Sequence, residues 1–353
     1  MKSTSHGLLI TSLLSLLLAG CGGGGGSPPP PAAAFPADLP PPASMGVANN
    51  EGAGAGATAV PTRYAAGSEE LAAFNLLNSE RGRCGFGLLV QNASLDVAAQ
   101  GHADYQIINS LLAHVQDGAR YPRGFTGTMP VDRVRAAGYT GVAGVTDEIV
   151  AFAGTPFKTG LGTEGVRGLL SAPYHLRGLV AGYRDVGLSV RSSADLGNAT
   201  PAVYLQINAA FTGRTGPQTL AAASVNTYPC EGSTGIRPLL SNETPNPIPN
   251  RDLAVNPLGP VVYVGLREGN LLVINSSAMV EVATGRQVPL RPPVSAANDP
   301  YAPCQEGCFK RHEAYIAADG PVEANAAFQM SITGTNNGVA FSRVFNFTTG
   351  TGS

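Results

Sequence analysis

Two segments in the first third of the chain place apolar residues with the period of an amphipathic helix. In the first, apolar side chains recur at steps of three from Leu71 to Leu77, and Ser68 precedes them as a cap. In the second, residues 94–109, a similar stripe includes His102. We therefore predict two helices, and we interpret His102 as a buried structural residue.

Further along, short helical patterns give way to apolar runs that are typical of strands. Pro130 opens a short helix, and residues 164–170 continue another helix into the segment around His175. Two strand-like runs follow, at residues 186–190 and 202–211. This order of elements predicts a layered domain, residues 66–230, in which helices pack on an antiparallel sheet.

The last hundred residues show no helical period. Prolines cluster after Glu243, and two pairs of apolar runs then flank polar turns. Residues 260–274 predict one hairpin, and a second turns at Asn337 and Gly338, a dipeptide typical of two-residue hairpin loops. We predict a β-sandwich over residues 245–350, so the fold class is α+β.

The start of the chain predicts secretion and a lipid anchor. A lysine precedes an apolar run at residues 8–18, and LAGC then ends at Cys21, so residues 1–20 read as a signal peptide. LAGC resembles a bacterial lipobox, which implies cleavage before Cys21, a lipid on that cysteine and attachment to a membrane. Gly22 in the next position favours the outer membrane, on its periplasmic or surface side. The Gly/Pro/Ala-rich linker, residues 21–65, is interpreted as a spacer.

Charge and motifs exclude two classes of ligand, nucleic acids and nucleotide cofactors. The formal net charge is −2 and charged residues are 13% of the chain, below the usual value of about 25%, and there is no basic patch for nucleic acid. The segment GLGTEG lacks the Lys-Ser/Thr ending of a phosphate loop, so no nucleotide cofactor is predicted. We interpret four arginines near His114 as a solvated surface: Arg120, Arg123, Arg133 and Arg135.

Four cysteines remain besides Cys21, and they allow three disulfide pairings. We favour Cys304 with Cys308, which are close in sequence, and Cys84 with Cys230, which would join the two ends of the first domain. A rival interpretation is a zinc site formed by the last two cysteines and His312, at steps of four residues.

Four stretches between residues 68 and 190 carry a family resemblance. They are, in order, AAFNLLNSERGRCGFGLLVQNASLDVAAQGHADYQ, LLAHVQDG leading into MPVDRVRAAGY, DEIV, and LLSAPYHLRGLVAGYRDVGLSV. Together they resemble the CAP superfamily, the cysteine-rich secretory, antigen 5 and pathogenesis-related 1 proteins, in its bacterial SCP-like form. The resemblance implies an α-β-α sandwich. The closing strands resemble the immunoglobulin-like sandwich that ends many bacterial surface proteins.

The same resemblance implies a cavity that holds zinc or another divalent metal. Its two histidines fall on His114 and His175, and its acidic residue falls on Glu148 or, in the neighbouring register, on Asp147; we favour Glu148. The family's second acidic residue has no match, because its position falls on Ala172. Imidazoles and a carboxylate are suitable zinc ligands, and three of them leave one coordination position open.

Three functions are compatible with these residues. The leading hypothesis is a lipid-anchored envelope protein whose cleft binds a divalent metal and an envelope or extracellular ligand, such as a lipid, sterol, peptide or protein. The alternatives are a metal-dependent hydrolase of peptide or cell-wall substrates, and a structural or adhesive surface protein. No Gly-x-Ser-x-Gly motif is present and the cysteines are assigned elsewhere, so we expect a binding protein rather than an enzyme.

Overall fold

The chain folds into an α+β structure in which helices and a first sheet are followed by strands alone. The computed structural model describes residues 60–302 and 308–351. The helices in these residues are α1 (Glu69–Arg83), α2 (Ala93–Asn109), α3 (Pro130–Ala136), α4 (Leu161–Ser171), α5 (Pro173–Val180) and a 3-10 helix, Ser193–Leu196. The strands are β1 (Val90–Gln91), β2 (Val142–Ala153), β3 (Asp185–Ser192), β4 (Ala202–Thr212), β5 (Asn226–Tyr228), β6 (Ser233–Ile236), β7 (Val261–Gly265), β8 (Leu272–Glu281), β9 (Gln287–Val288), β10 (Val294–Ser295), β11 (Glu313–Ala317), β12 (Ala327–Asn336) and β13 (Val339–Thr349).

The helices form where the amphipathic pattern predicts them. Ser68 caps α1, since its Oγ accepts a hydrogen bond from the Leu71 N–H at 3.1 Å, an interaction worth about 1 kcal/mol. His102 lies on the inner face of α2 and is buried, as predicted. Pro173 occupies the first turn of α5, where its missing N–H leaves no helical bond unmade.

The first sheet is the middle layer of an α-β-α sandwich. Its strand order is β1-β3-β4-β2, with β3, β4 and β2 antiparallel and the short β1 parallel to β3, a pair that the sequence analysis did not predict. Alternate side chains of β4 serve opposite faces. Leu205 belongs to the core that contains Leu161 of α4, whereas Ala210 packs with Leu95 of α2. Helices therefore cover both faces of this sheet.

The strands after β4 form a two-sheet β-sandwich. One sheet has the order β10-β11-β7-β5 and the other β6-β13-β12-β8-β9. The hairpin of β12 and β13 is confirmed, and its turn residues Asn337 and Gly338 have φ values of 51° and 83°, as a two-residue hairpin turn requires. The hairpin predicted over residues 260–274 is wrong, because β7 and β8 pair in different sheets.

The layered part and the β-sandwich share structure across the predicted domain boundary. Strands β5 and β6 already pair within the sandwich sheets, ahead of residue 245. The predicted disulfide between Cys84 and Cys230 is confirmed, with a Cα–Cα distance of 5.5 Å, and it joins the end of α1 to the segment between β5 and β6. One hydrophobic cluster runs through both parts, with the rings of Phe86 and Tyr263 6.0 Å apart.

Several predictions fall outside the described residues. They are the signal peptide, the lipidation site Cys21, most of the linker, and Cys304, so the pairing of Cys304 with Cys308 and its zinc alternative stay predictions. Among the helices of the described residues, none is long and apolar enough to cross a membrane.

Candidate functional site

A groove of about 810 Å³ lies where the layered part meets the β-sandwich. Residues 142–148 of β2 line it on one side, α3 and α5 contribute further walls, and Tyr263 and Leu266 belong to its sandwich side. All four predicted site residues line this groove: His114, Asp147, Glu148 and His175. The fold therefore gathers residues that are as much as 61 positions apart in sequence.

His114 follows α2 in a loop and enters the groove with one ring nitrogen engaged. Its Nδ1 lies 3.0 Å from Oδ2 of Asp147, and 46% of its side chain is exposed. The hydrogen bond that His114 donates to Asp147 raises the pKa of His114 against the opposing effect of burial. A carboxylate at Nδ1 fixes the ring and leaves Nε2 for a ligand.

Asp147 is the centre of a buried polar network on the α2 side of the sheet. Its Oδ1 lies 3.0 Å from the Arg133 guanidinium and accepts hydrogen bonds from the side-chain amides of Gln206 and Asn208 at 2.7 and 2.9 Å. Burial raises the pKa of Asp147, but the His114 hydrogen bond and the charge of Arg133 outweigh it and lower the pKa to about 2. This carboxylate is therefore ionised and fully partnered.

Arg133 does not lie on a solvated surface, which corrects the interpretation of the arginine cluster. Only 1% of the residue is exposed, because its charge pairs with Asp147 inside the fold. Beside it, burial lowers the pKa of His102 to about 4, so that ring is neutral, and the Gln116 amide bonds its Nδ1 at 2.9 Å. Arg133 and His102 therefore support Asp147 from the α2 side of the sheet.

Glu148 points to the other face of β2, towards α5. The Thr146 hydroxyl donates to its Oε1 at 2.6 Å, and burial raises the pKa of Glu148 although His175 opposes the shift. Gly178 of α5 faces this carboxylate, and a side chain at that position would overlap Oε1. The glycine lets α5 approach the strand closely.

His175 lies in the first turn of α5 and is held by a residue that the sequence analysis missed. Oε1 of Glu243 accepts the Tyr174 N–H at 2.7 Å and lies 3.4 Å from Nδ1 of His175. Burial lowers the pKa of His175, but Glu243 and Glu148 outweigh it and raise the pKa. Glu243 begins the proline cluster between the two predicted domains, and nothing in that pattern marked it as a site residue.

The two imidazole rings form a pair across the groove. The ring centroids of His114 and His175 are 6.1 Å apart. Each ring has its Nδ1 next to a buried carboxylate, Asp147 for the first and Glu243 for the second. The arrangement presents two oriented ring nitrogens and the buried carboxylate of Glu148 to whatever enters.

These donors do not match a metal centre as they are arranged. Within residues 60–302 and 308–351, no three His, Cys, Asp or Glu side chains are grouped so that they could hold a metal ion. Asp147 is the clearest case, since Arg133 and His114 already neutralise it. The divalent metal therefore stays a prediction, and its binding would require the contacts of Asp147 and Glu243 to rearrange.

Comparisons with known proteins give only distant similarity. No family model matches the chain, and no curated protein matches it. Among solved structures, it is similar to an outer surface protein from Borrelia burgdorferi, with 12% identity over 41% of this chain and 92% of that one, and a TM-score of 0.33. It is also similar to an extracellular protein containing an SCP domain from Bacillus anthracis str. Ames, with 19% identity over 40% of each chain and a TM-score of 0.31.

Proposed function

We propose that this chain is a lipid-anchored protein of the cell envelope, of the SCP-like type, that binds an envelope or extracellular ligand in the groove around His114, Glu148 and His175. The observation that carries the proposal is the pair of imidazoles, 6.1 Å apart, each with a buried carboxylate at Nδ1. Rings fixed in this way recognise a ligand with little loss of side-chain entropy. The order of the four CAP-like stretches supports the same assignment.

Binding is favoured over catalysis by the composition of the groove. No serine or cysteine is among the described residues that line it, so a covalent mechanism has no hydroxyl or thiol of the usual kind. The hydroxyl of Thr146, the threonine of β2 that lines the groove, donates to Glu148 rather than to a histidine. Most of the lining is apolar, as is typical of sites that bind and orient a ligand with a few polar groups.

The proposal is tested with a panel of envelope phospholipids, sterols, cell-wall fragments and mixed peptides. Binding to the full chain is detected as a shift of the unfolding temperature and confirmed by calorimetry. We expect one class to bind with a one-to-one ratio, and the variant His114→Ala/His175→Ala to lose that binding. Lys158→Ala, an exposed change outside the groove, serves as the control. Equal affinity of the wild type and the double-histidine variant would contradict the proposal.

A further inference from the structure

The groove runs along an exposed edge of the first sheet. Strand β2 is the last strand in the order β1-β3-β4-β2, so no strand of the described residues pairs with its outer side. Residues 203–210 of the central strand β4 are all buried, whereas residues 142–146 of β2 are partly or largely exposed. Seven consecutive residues of β2, 142–148, line the groove.

The direction of the outward backbone groups follows from the strand pairing. The Leu188 N–H donates to Asp96, so Leu188 in β3 turns its backbone groups away from β4. Its register partner Ile207 therefore turns towards β2, where it lies opposite Glu148. Backbone groups of successive residues point to opposite edges of a strand. The residues on either side of Glu148, and every second residue from there, consequently face outward.

Two of these outward residues, Val145 and Asp147, lie in the groove on the regular side of the β-bulge that interrupts the pairing between Val142 and Gly144. Within the described part of the chain, no other strand or side chain hydrogen-bonds to the outward edge at these two positions. An edge of this kind is a template for another extended chain, and proteins usually blunt it with lysine or proline. Residues 142–148, VAGVTDE, contain neither, and the β-bulge between Val142 and Gly144 lies ahead of Val145 and Asp147.

Two acidic residues near His175 indicate what charge the added chain carries, since Glu148 lines the groove and Glu243 contacts the His175 ring. Glu148 and Glu243 are both buried, and among the described residues neither pairs with a lysine or arginine. Oε2 of Glu243 is buried and has no hydrogen-bond partner in those residues. Arg177, the arginine of α5, is already paired with Glu313 at 2.7 Å. A single histidine, His175, therefore stands between two carboxylates.

We propose that the ligand is an extended segment of a partner protein, which pairs as an added strand with β2 at Val145 and Asp147 and places a lysine or arginine beside Glu148. This inference rests on the proposed function, since it names the class of ligand that enters the same groove. Main-chain hydrogen bonds supply affinity in such strand addition, and the side-chain pockets supply specificity. A charged hydrogen bond from the ligand gives the Glu148 carboxylate a cationic partner that no lysine or arginine of the described residues supplies.

The first experiment compares peptide pools on the full chain by fluorescence anisotropy. The probes are labelled decapeptides with random sequence and one central residue fixed as lysine, norleucine or glutamate. We expect the lysine pool to bind at least about tenfold more tightly than the norleucine pool, because its cation pairs with the Glu148 carboxylate in the groove. In Glu148→Gln/Glu243→Gln the preference should fall to within about twofold. A wild type that binds no pool, or that prefers norleucine or glutamate, overturns the inference.

The second experiment tests the strand pairing with two prolines on the same edge. Val145→Pro removes an outward N–H inside the groove, whereas Ala151→Pro removes the equivalent N–H beyond it. Proline is tolerated at the edge of a sheet, and circular dichroism and unfolding temperature confirm that both variants fold. We expect Val145→Pro to weaken the best lysine peptide about tenfold and Ala151→Pro to stay within about twofold. Methylation of every second backbone nitrogen removes the N–H groups along one edge of the tightest-binding lysine peptide. We expect affinity to fall when the methylated nitrogens are those that face β2, and to be retained when the other set is methylated.

The possible failures can be told apart. Equal affinity of the two proline variants, with binding lost in His114→Ala/His175→Ala, overturns the strand pairing and leaves the groove as the binding site. Unchanged peptide binding in the double-histidine variant contradicts the proposed function as well. Self-association of the wild type in sedimentation that Val145→Pro abolishes would assign the edge to a second copy of this chain, and would also overturn the inference.

Discussion

His114 and His175 face the same groove, but their carboxylates come from different parts of the molecule. Asp147, which holds His114, lies on β2 and is surrounded by residues of the layered part, including Arg133 and Gln206. Glu243, which holds His175, lies in the segment that leads into the β-sandwich, and its only ionic partner in the described residues is that histidine. The first pair depends on one part of the fold, and the second depends on both.

Because of this difference, substitutions in the two pairs should change different measurable properties. Both carboxylate oxygens of Asp147 have partners, because a buried arginine, two amides and a histidine share this one ionised group. The Glu243 pair is incomplete, because one of its carboxylate oxygens is buried without a partner in the described residues. We therefore expect changes at Asp147 to affect mainly stability, and changes at Glu243 to affect mainly the state of His175 and the binding of a ligand.

The largest effect is expected from Asp147→Ala. The substitution leaves the Arg133 charge buried without its partner, which typically costs about 3–5 kcal/mol of unfolding free energy. Urea denaturation measures the loss. The matched variant Asp147→Ala/Arg133→Met removes the stranded charge and should recover most of it. A loss below about 1 kcal/mol in the single variant would show that the Arg133 charge does not depend on Asp147.

The disulfide between Cys84 and Cys230 cross-links the two parts of the fold, and its removal should cause the second-largest loss of stability. Cys84 and Cys230 are separated by 146 residues, and loss of a bond that closes a long loop typically costs about 2–4 kcal/mol. We expect Cys84→Ser/Cys230→Ser to unfold at lower urea concentration than the oxidised wild type. The reduced wild type is the control, and it should match the variant. Unchanged stability would mean that the shared core alone holds the two parts together.

The pKa values of the two histidines separate the pairs directly. Glu243→Gln removes a negative charge from His175, so the pKa of His175 should fall, while that of His114 should shift less and upwards because its neighbour is less often charged. Asp147→Asn should lower the pKa of His114 and leave His175 unaffected. Proton NMR titration of the imidazoles measures both. Equal shifts of the two rings in either variant would contradict the separation.

The raised pKa of His114 also predicts the sign of a pH effect. Its folded-state pKa lies above the unfolded value of about 6.5, so its contribution to stability is fully present below that pH and is lost as the pH rises through the folded pKa. Because the side chain is 46% exposed, the effect is at most about 1 kcal/mol. The stability difference between the wild type and His114→Gln should shrink accordingly in urea titrations from about pH 5.5 to 8.5. A difference that grows with pH would be inconsistent with the Asp147 contact.

Zinc should have the smallest effect. With the side chains as they are arranged in the described residues, we expect calorimetry to detect no stoichiometric zinc binding and chelators to leave the unfolding temperature unchanged. One-to-one binding that His114→Ala/His175→Ala abolishes would instead support the metal hypothesis drawn from the family resemblance. It would show that the Asp147 and Glu243 contacts rearrange on binding.

Local patterns predicted most of the elements but not their long-range partners. Helix α2 and the β12–β13 hairpin are confirmed because an apolar stripe and an Asn-Gly turn act over a few residues. The predicted pairing of β7 with β8 is wrong. The sequence pattern of two apolar runs around a turn is the same whether the two strands pair in one sheet or belong to two different sheets.

In the candidate site too, contacts between residues distant in sequence were not predicted. The family motif identified the two histidines and both candidate acids, and all of them line the groove. Arg133 looked like a surface residue because buried arginines are rare unless they are paired, and its partner Asp147 lies 14 positions away. Glu243 is 68 positions from His175, and no local spacing connects them.

The contacts of Glu243 with the start of α5 make the His175 ring sensitive to the position of the segment that carries Glu243. Oε1 touches both the Tyr174 N–H and the His175 ring, so even a small displacement of the segment that carries Glu243 would weaken both contacts. The chemical shift of a single imidazole would then record how the sandwich sits against the helices, with no label placed on either part.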